Sequence, residues 1–157
     1  MLVKSDDSKE KGIRMQRFFS DVSFKGRNDM AWELSSKGFL MTLTGYVPDL
    51  IKEDFKCLAT KALDAAGLTT DDVTHWCIHP GGKKILEAIS KSLDLENKSL
   101  QYSYEVLRDY GNMSSATILF VLKKILEEVS AAPGSPVIFG AAFGPGLTME
   151  TFTATYD

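Results

Sequence analysis

The sequence predicts one α/β domain in which helices pack on a mixed β-sheet. Residues 48–66 carry apolar side chains at helical spacing. Residues 136–143 are almost entirely apolar, which is typical of a strand buried on both faces. Residues 30–34 and 39–43 alternate apolar with other side chains, as strands with one exposed face do. Strand and helix patterns therefore alternate along one chain, which favours the α/β class.

Composition limits the classes of function. The 157 residues are 44% hydrophobic and 25% charged, as in an ordinary globular domain that needs no disulfide or metal to form a core. The net charge is −3 with Lys and Arg interspersed among Asp and Glu, which argues against binding to nucleic acid or anionic membranes. No segment approaches the roughly 18 apolar residues of a membrane span. Two cysteines are too few for a disulfide framework, so we expect a cytoplasmic setting.

The first half of the chain predicts three strands and a helix. Residues 1–12 are expected to form a polar tail, and residues 13–157 the domain. A strand at 13–22 precedes a hairpin of the strands at 30–34 and 39–43, with turn residues at 35–38 between them. Pro48 in the first turn and Gly67 after the last turn bound a helix over 48–66.

The second half predicts two more helices and three more strands. A short apolar strand at 76–78 is followed by a glycine turn and a helix whose apolar residues recur over 85–93. After a polar connection with a helical turn at 103–108, Asn112 is expected to open a helix that is apolar almost all round, hence central and buried, and that ends at Pro133. Strands at 136–143 and 147–156 complete a mixed sheet of about five strands.

Three short segments place a polar group or bare backbone where a strand meets a loop or helix. They are His-Pro-Gly-Gly at 79–82, Gly-Asn-Met-Ser-Ser-Ala at 111–116 and Phe-Gly-Pro-Gly-Leu-Thr at 143–148. Ligands bind at such strand ends in open α/β sheets. A histidine ring and an asparagine amide can both donate to one substrate oxygen, and glycines let a ligand approach the backbone. His79 and Asn112 therefore predict an oxyanion site.

In this order, the three segments resemble the C-terminal half of type III polyketide synthases, the chalcone synthase family of thiolase-fold enzymes. The resemblance runs from Ile13 to the end of the sequence and implies a thiolase-like half-fold. It assigns His79 and Asn112 to the family's Cys-His-Asn triad. In the family, a glycine precedes the Phe-Gly-Pro-Gly-Leu-Thr segment and begins the motif. Ala142 stands at that position here, and the rest of the motif is intact.

The resemblance also implies a reaction. In the family a thiolate attacks an acyl-CoA thioester, and the histidine and asparagine stabilise the oxyanion and then the enolate formed by decarboxylation of malonyl-CoA. It implies CoA thioesters as substrates, no other cofactor, no metal, and a cytoplasmic homodimer. The family's nucleophilic cysteine belongs to an N-terminal half that these residues do not include. We therefore expect the chain alone to be inactive, and we expect the N-terminal half with its cysteine to be the partner of this chain.

Further positions are expected to contact substrate. They are Met41, Gly81, Gly82, Lys84, Ser114, Phe143, Gly144, Pro145 and Gly146. Met41 falls where plant enzymes keep a gatekeeper phenylalanine, although a plain strand residue fits the pattern as well. The start of the helix after Gly82 is a candidate binding site for the phosphates of CoA. It lacks a phosphate-loop pattern, however, and its lysines also fit a solvated surface.

Several alternatives remain open at this stage. Cys57 lies mid-helix and reads as a packing thiol. His75, Cys77 and His79 share one strand face, so a metal site or a Cys-His pair competes with a buried packing thiol at Cys77. For the whole domain, the alternatives are a ketoacyl-ACP synthase III-like half-domain and a noncatalytic thiolase-fold interaction domain. The His-Pro-Gly-Gly motif favours the polyketide synthase.

Overall fold

A computed structural model describes residues 11–131 and 134–156. Most of the expected polar tail lies outside the described residues, as does Pro133 at the expected end of the last helix, so the domain boundary stays a prediction. The described strands and helices are β1 (Ile13–Val22), β2 (Met30–Ser35), β3 (Gly38–Leu43), α1 (Val47–Asp64), β4 (His75–Ile78), α2 (Lys83–Leu93), α3 (Gln101–Tyr110), α4 (Thr117–Ala131), β5 (Val137–Gly144) and β6 (Thr148–Tyr156).

The main sheet is mixed, as predicted. Its order is β1-β6-β5-β4, with β4 parallel to β5 and the other two pairings antiparallel. It has four strands over the described residues rather than about five, because β2 and β3 pair only with each other in a separate two-stranded sheet. The predicted hairpin is therefore present, but it stands apart from the main sheet.

Helices cover both faces of β4. Trp76 and Ile78 belong to the core under α1 and α2, whereas Cys77 belongs to a second core with α4. Successive strand residues point to opposite faces, so the residues of a strand that lie between two helical layers must be apolar on both faces. This explains the short, uninterrupted apolar run in the sequence. No helix in the described part of the chain is long and apolar enough to cross a membrane.

Three expectations for the helices need correction. The polar connection contains a complete ten-residue helix, α3, rather than one helical turn, because Ser103 and Val106 pack its inner face into the core. Asn112 does not open the next helix, since α4 begins at Thr117 after a short helical turn. Nor is α4 buried all round. Only one of its faces meets the sheet, and Leu119 and Phe120 on another are exposed.

Candidate active site

The parallel strands β4 and β5 end at the same edge of the sheet. His79 follows the last residue of β4, and its backbone N–H still donates to the Ala141 carbonyl of β5 at 2.9 Å. At the next residues the chain turns sharply, and the Gly81 N–H donates to the His79 carbonyl at 3.0 Å. The turn that follows β5 leaves from this edge too. Two of the three predicted segments are therefore neighbours.

The His79 side chain is partly buried beside Gly81. A Cβ added to Gly81 would lie 3.6 Å from His79 Cδ2 and 3.8 Å from Nε2, so the ring occupies the space next to this glycine. The buried Nδ1 has no hydrogen-bond partner among the described residues. Burial lowers the pKa of His79 below its ordinary 6.5, because the charged imidazolium loses hydration. The ring is therefore neutral at pH 7 and carries one N–H donor.

The Asn112 side chain reaches the same glycine from the other loop. Its Nδ2 donates to the Gly81 carbonyl oxygen at 3.1 Å, and its Oδ1 accepts from the Ser114 backbone N–H at 2.9 Å. A carboxamide NH₂ carries two hydrogens, so one can bind Gly81 while the other points to a ligand. The structure thus brings His79 and Asn112 together at Gly81, at the end of the sheet.

Thr117 holds the loop that carries Asn112. This threonine is completely buried, and its Oγ1 accepts from the Met113 N–H at 2.8 Å and donates to the Ser114 carbonyl at 2.8 Å. The same oxygen lies 3.5 Å from Asn112 Oδ1. Ser114 has a left-handed φ of 59°, which is unfavourable for a non-glycine residue and persists only where surrounding contacts hold it. The sequence analysis did not single out Thr117, although a threonine at the start of an apolar helix is a capping signal.

The turn between β5 and β6 is fixed by packing on both sides. Gly146 has a φ of 76°, where glycine is favoured, and the completely buried Leu147 follows with a φ of 47°. The Leu147 carbonyl accepts from the Ser23 N–H at 3.1 Å. Just before the turn, the Phe143 ring lies 5.8 Å from that of Phe55 in α1. Phe143 therefore belongs partly to the core, while Pro145 at the tip is exposed.

The other predicted substrate contacts are spread more widely. Met41 is half-exposed on β3, in the separate hairpin and opposite Trp32. Gly82 precedes α2, and Lys84 in the first turn of that helix is exposed. Ser114 is also exposed, next to Asn112. His79, Gly81, Asn112 and Ser114 therefore form the compact centre, and Met41 and Lys84 belong to other elements.

The structure argues against the alternatives on the β4 face. Cys77 is completely buried, its Sγ lies 3.8 Å from the Ile118 carbonyl, and burial raises the pKa of the Cys77 thiol far above its ordinary value. His75 is bound by protein partners, with Nδ1 at 2.8 Å from Thr74 Oγ1 and Nε2 at 3.3 Å from Glu128. Within residues 11–131 and 134–156, no three or more His, Cys, Asp or Glu side chains are grouped to hold a metal. Cys77 is a packing thiol, and His75 joins β4 to α4.

The fold defines the class as an α/β domain in which the His79 ring and the Asn112 amide meet at Gly81, at the end of a strand. Its family follows from sequence comparison, because the sequence-family model for the C-terminal domain of chalcone and stilbene synthases matches residues 13–155. The chain therefore belongs to the chalcone and stilbene synthase family, as its C-terminal domain. This confirms the resemblance to type III polyketide synthases over the ketoacyl-ACP synthase III alternative.

Curated relatives carry related names. The chain is 30% identical over 152 residues to the 3,5-dihydroxyphenylacetyl-CoA synthase of Amycolatopsis balhimycina, covering 96% of this chain and 41% of the relative. It is 32% identical over 120 residues to the enzyme of the same name from Streptomyces toyocaensis, covering 76% of this chain and 30% of the relative. The chain thus spans well under half the length of these relatives.

Solved structures confirm the predicted thiolase-like half-fold. The polyketide synthase PKS-I of the brown alga Ectocarpus siliculosus superposes with a TM-score of 0.85 at 25% identity, over 99% of this chain and 42% of the algal chain. The 1,3,6,8-tetrahydroxynaphthalene synthase of Streptomyces coelicolor A3(2), a bacterial type III polyketide synthase, also gives a TM-score of 0.85, at 24% identity over 96% of this chain and 42% of its own. The second likeness concerns the fold alone.

Proposed function

We propose that this chain is the oxyanion-stabilising part of a type III polyketide synthase that condenses malonyl-CoA with an acyl-CoA starter. The observation that carries the proposal is the meeting of the His79 ring and the Asn112 amide at Gly81, in a domain of this family. Both groups are uncharged donors at neutral pH. Uncharged, fixed donors are suited to an oxygen that becomes negative only during the reaction.

The donors act in two successive steps. When malonyl-CoA loses CO₂, the electron pair of the broken C–C bond moves into the thioester, whose oxygen becomes an enolate held by the His79 and Asn112 N–H groups. The enolate carbon then attacks the carbonyl of an enzyme-bound acyl thioester, and the thiolate of the enzyme leaves. Each donor is expected to contribute roughly 10²–10³ in rate. The low pKa of His79 favours this role because a neutral ring does not protonate the enolate.

The nucleophile must come from another part of the synthase. Of the two cysteines, Cys57 lies mid-helix in α1 and Cys77 is a buried thiol of raised pKa, so neither supplies a reactive thiolate beside His79. The family name places this chain in the C-terminal domain, and the relatives are more than twice as long. We infer that the N-terminal part brings the nucleophilic cysteine. A cytoplasmic homodimer belongs to the same proposal.

The substrate would contact the glycine loops around the two donors. Gly81, Gly82 and Ser114 flank them, and Phe143, Gly144, Pro145 and Gly146 form the neighbouring turn. Met41 and Lys84 would contact more distant parts of the substrate, the acyl group and CoA respectively.

The test is malonyl-CoA decarboxylation by a complete synthase that contains this domain, measured as CO₂ release. His79→Gln and Asn112→Ala should each lower the rate by roughly 10²–10³. His75→Gln is the matched control, since His75 lies on the same strand but binds Thr74 and Glu128 instead. Normal decarboxylation by the folded His79→Gln enzyme would exclude the proposed mechanism.

A further inference from the structure

Ser103 is a polar side chain that lies wholly inside the core. It belongs to the first turn of α3, it is completely buried, and its Oγ donates to the carbonyl oxygen of Ile78 at 2.7 Å. A buried hydroxyl loses its hydration and must find a hydrogen-bond partner inside the protein. Packing alone does not account for a serine here, since alanine would fill nearly the same space without a polar group to satisfy.

The bond of Ser103 acts on the peptide group that leads into His79. The N–H and C=O of a trans peptide point in opposite directions, and the His79 N–H donates to Ala141 of β5 at 2.9 Å. The Ile78 carbonyl therefore points away from β5. Since β4 ends the strand order of the described sheet, no further strand of that sheet can donate to this carbonyl. The Ser103 hydroxyl takes that place, so the Ile78–His79 peptide is held on both sides.

The helix that carries Ser103 is itself held in place. Lys124 Nζ of α4 donates to Glu105 Oε2 of α3 at 2.9 Å, and both side chains are partly buried. The inner face of α3 packs in the core through Val106, which is completely buried. The helix ends two residues before Asn112. Ser103 therefore ties the strand that precedes one donor to the helix that leads to the other.

We propose that Ser103 is a positioning residue for His79, and that its hydroxyl sets the direction in which the His79 ring leaves the end of β4. The inference rests on the proposed function of His79 as an oxyanion donor. Without the Ser103 bond, the peptide before His79 keeps only its bond to Ala141 and can tilt about it. The ring N–H would then move relative to the substrate oxygen, and a displacement of about 1 Å can cost about a hundredfold in rate.

The test measures malonyl-CoA decarboxylation by a complete synthase that contains this domain. Ser103→Ala should lower kcat by about tenfold and leave KM within about twofold, because it weakens an interaction made in the transition state. Ser103→Thr keeps the hydroxyl and should retain most of the wild-type kcat. Should the alanine enzyme not fold, Ser103→Cys replaces it, since a thiol is a weak donor of similar size and should lower kcat as well.

Ser90→Ala is the matched control. Ser90 Oγ also donates to a backbone carbonyl, that of Leu95 at 3.1 Å, but in the last turn of α2. Its loss removes the same kind of bond without touching the end of β4. We expect the Ser90→Ala synthase to keep the wild-type kcat.

The combination with His79→Gln separates positioning of the ring from support of the fold. In that background Ser103→Ala should change the residual rate by less than about twofold, because no ring remains to be positioned. Equal losses in both backgrounds would overturn the inference, and so would a folded Ser103→Thr enzyme as slow as Ser103→Ala. A wild-type rate for Ser103→Ala beside a low rate for His79→Gln would overturn this inference alone. Normal decarboxylation by His79→Gln would overturn the proposed function, and this inference with it.

Discussion

The side-chain amide of Asn112 donates to the carbonyl oxygen of Gly81 at 3.1 Å, across 31 residues of sequence. This bond joins the loop after β4 to the loop between α3 and α4. It sets the distance between the segment that carries His79 and the segment that carries Asn112. The site is therefore held together by a contact between its own two loops.

Asn112→Asp tests this bond without changing the shape of the side chain. The carboxylate keeps an acceptor for the Ser114 N–H but cannot donate to Gly81. We expect the free energy of unfolding of this chain, measured in urea, to fall by about 1 kcal/mol, the usual net value of one hydrogen bond. Asn28→Asp, at an exposed position, is the control. Equal stability of the Asn112→Asp and wild-type chains would show that the bond contributes nothing in solution.

Thr117 provides a test of loop positioning with two matched variants. Thr117→Val keeps the size of the side chain but leaves the Met113 N–H and Ser114 carbonyl without their partner, at a cost of about 1–3 kcal/mol. Thr117→Ser keeps the hydroxyl and loses only a methyl group. We expect Ser to retain most of the unfolding free energy in this chain and most of the decarboxylation rate in a complete synthase. If Ser costs as much as Val in both measurements, the hydroxyl is not what positions the loop.

The partly buried ring of His79 predicts a pH dependence of stability. Because the folded-state pKa of His79 lies below 6.5, the unfolded chain takes up a proton that the folded chain does not as the pH falls through about 6.5. The free energy of unfolding should therefore fall between pH 7.5 and 5.5, and His79→Gln should flatten this slope.

The carboxylates act in a different pH range. Hydrogen bonds hold the pKa values of Asp21, Asp72 and Asp109 below 3.8, so the stability they contribute is lost only as the pH falls through about 4. Urea unfolding of the wild-type and His79→Gln chains at several pH values separates the histidine range from the carboxylate range. An unchanged slope in His79→Gln would contradict the lowered pKa of the ring.

The two thiols should react very differently. Cys57 is exposed on α1, so the sequence-based prediction of a packing thiol there is wrong, while Cys77 is completely buried and has a raised pKa. Iodoacetamide at pH 8 should modify only Cys57 in the native chain and both cysteines in urea, as peptide mass spectrometry would show. Modification of native Cys77 at the rate of Cys57 would mean that β4 and α4 open readily.

The chain without an N-terminal part should not form polyketides. With acyl-CoA and malonyl-CoA it should give neither condensation products nor an acyl adduct on Cys77, since Cys77 is a buried thiol of raised pKa and Cys57 lies in the middle of α1. Liquid chromatography with mass spectrometry checks both outcomes. Cys77→Ala serves as the control for any adduct that forms.

Local pattern and residue chemistry determined much of this protein. The helical spacing from Ile51 to Ala62 specified α1, the apolar run at 76–78 specified a short strand, and three glycine-bearing motifs specified the family. Such features depend on neighbours one to four residues away, so they can be read directly from the chain. The roles of His79 and Asn112 remain predictions that rest on those motifs.

Only the tertiary structure decided how these pieces meet. It separated the hairpin from the main sheet, extended α3 by packing Val106 inward, and moved the start of α4 from Asn112 to Thr117. It also placed the Asn112 amide on the Gly81 carbonyl and the Thr117 hydroxyl within the loop. These outcomes depend on hydrogen bonds and burial between segments that are distant in sequence or that compete for the same backbone groups. Hydrophobic periodicity does not predict the result of that competition, because the result depends on tertiary contacts.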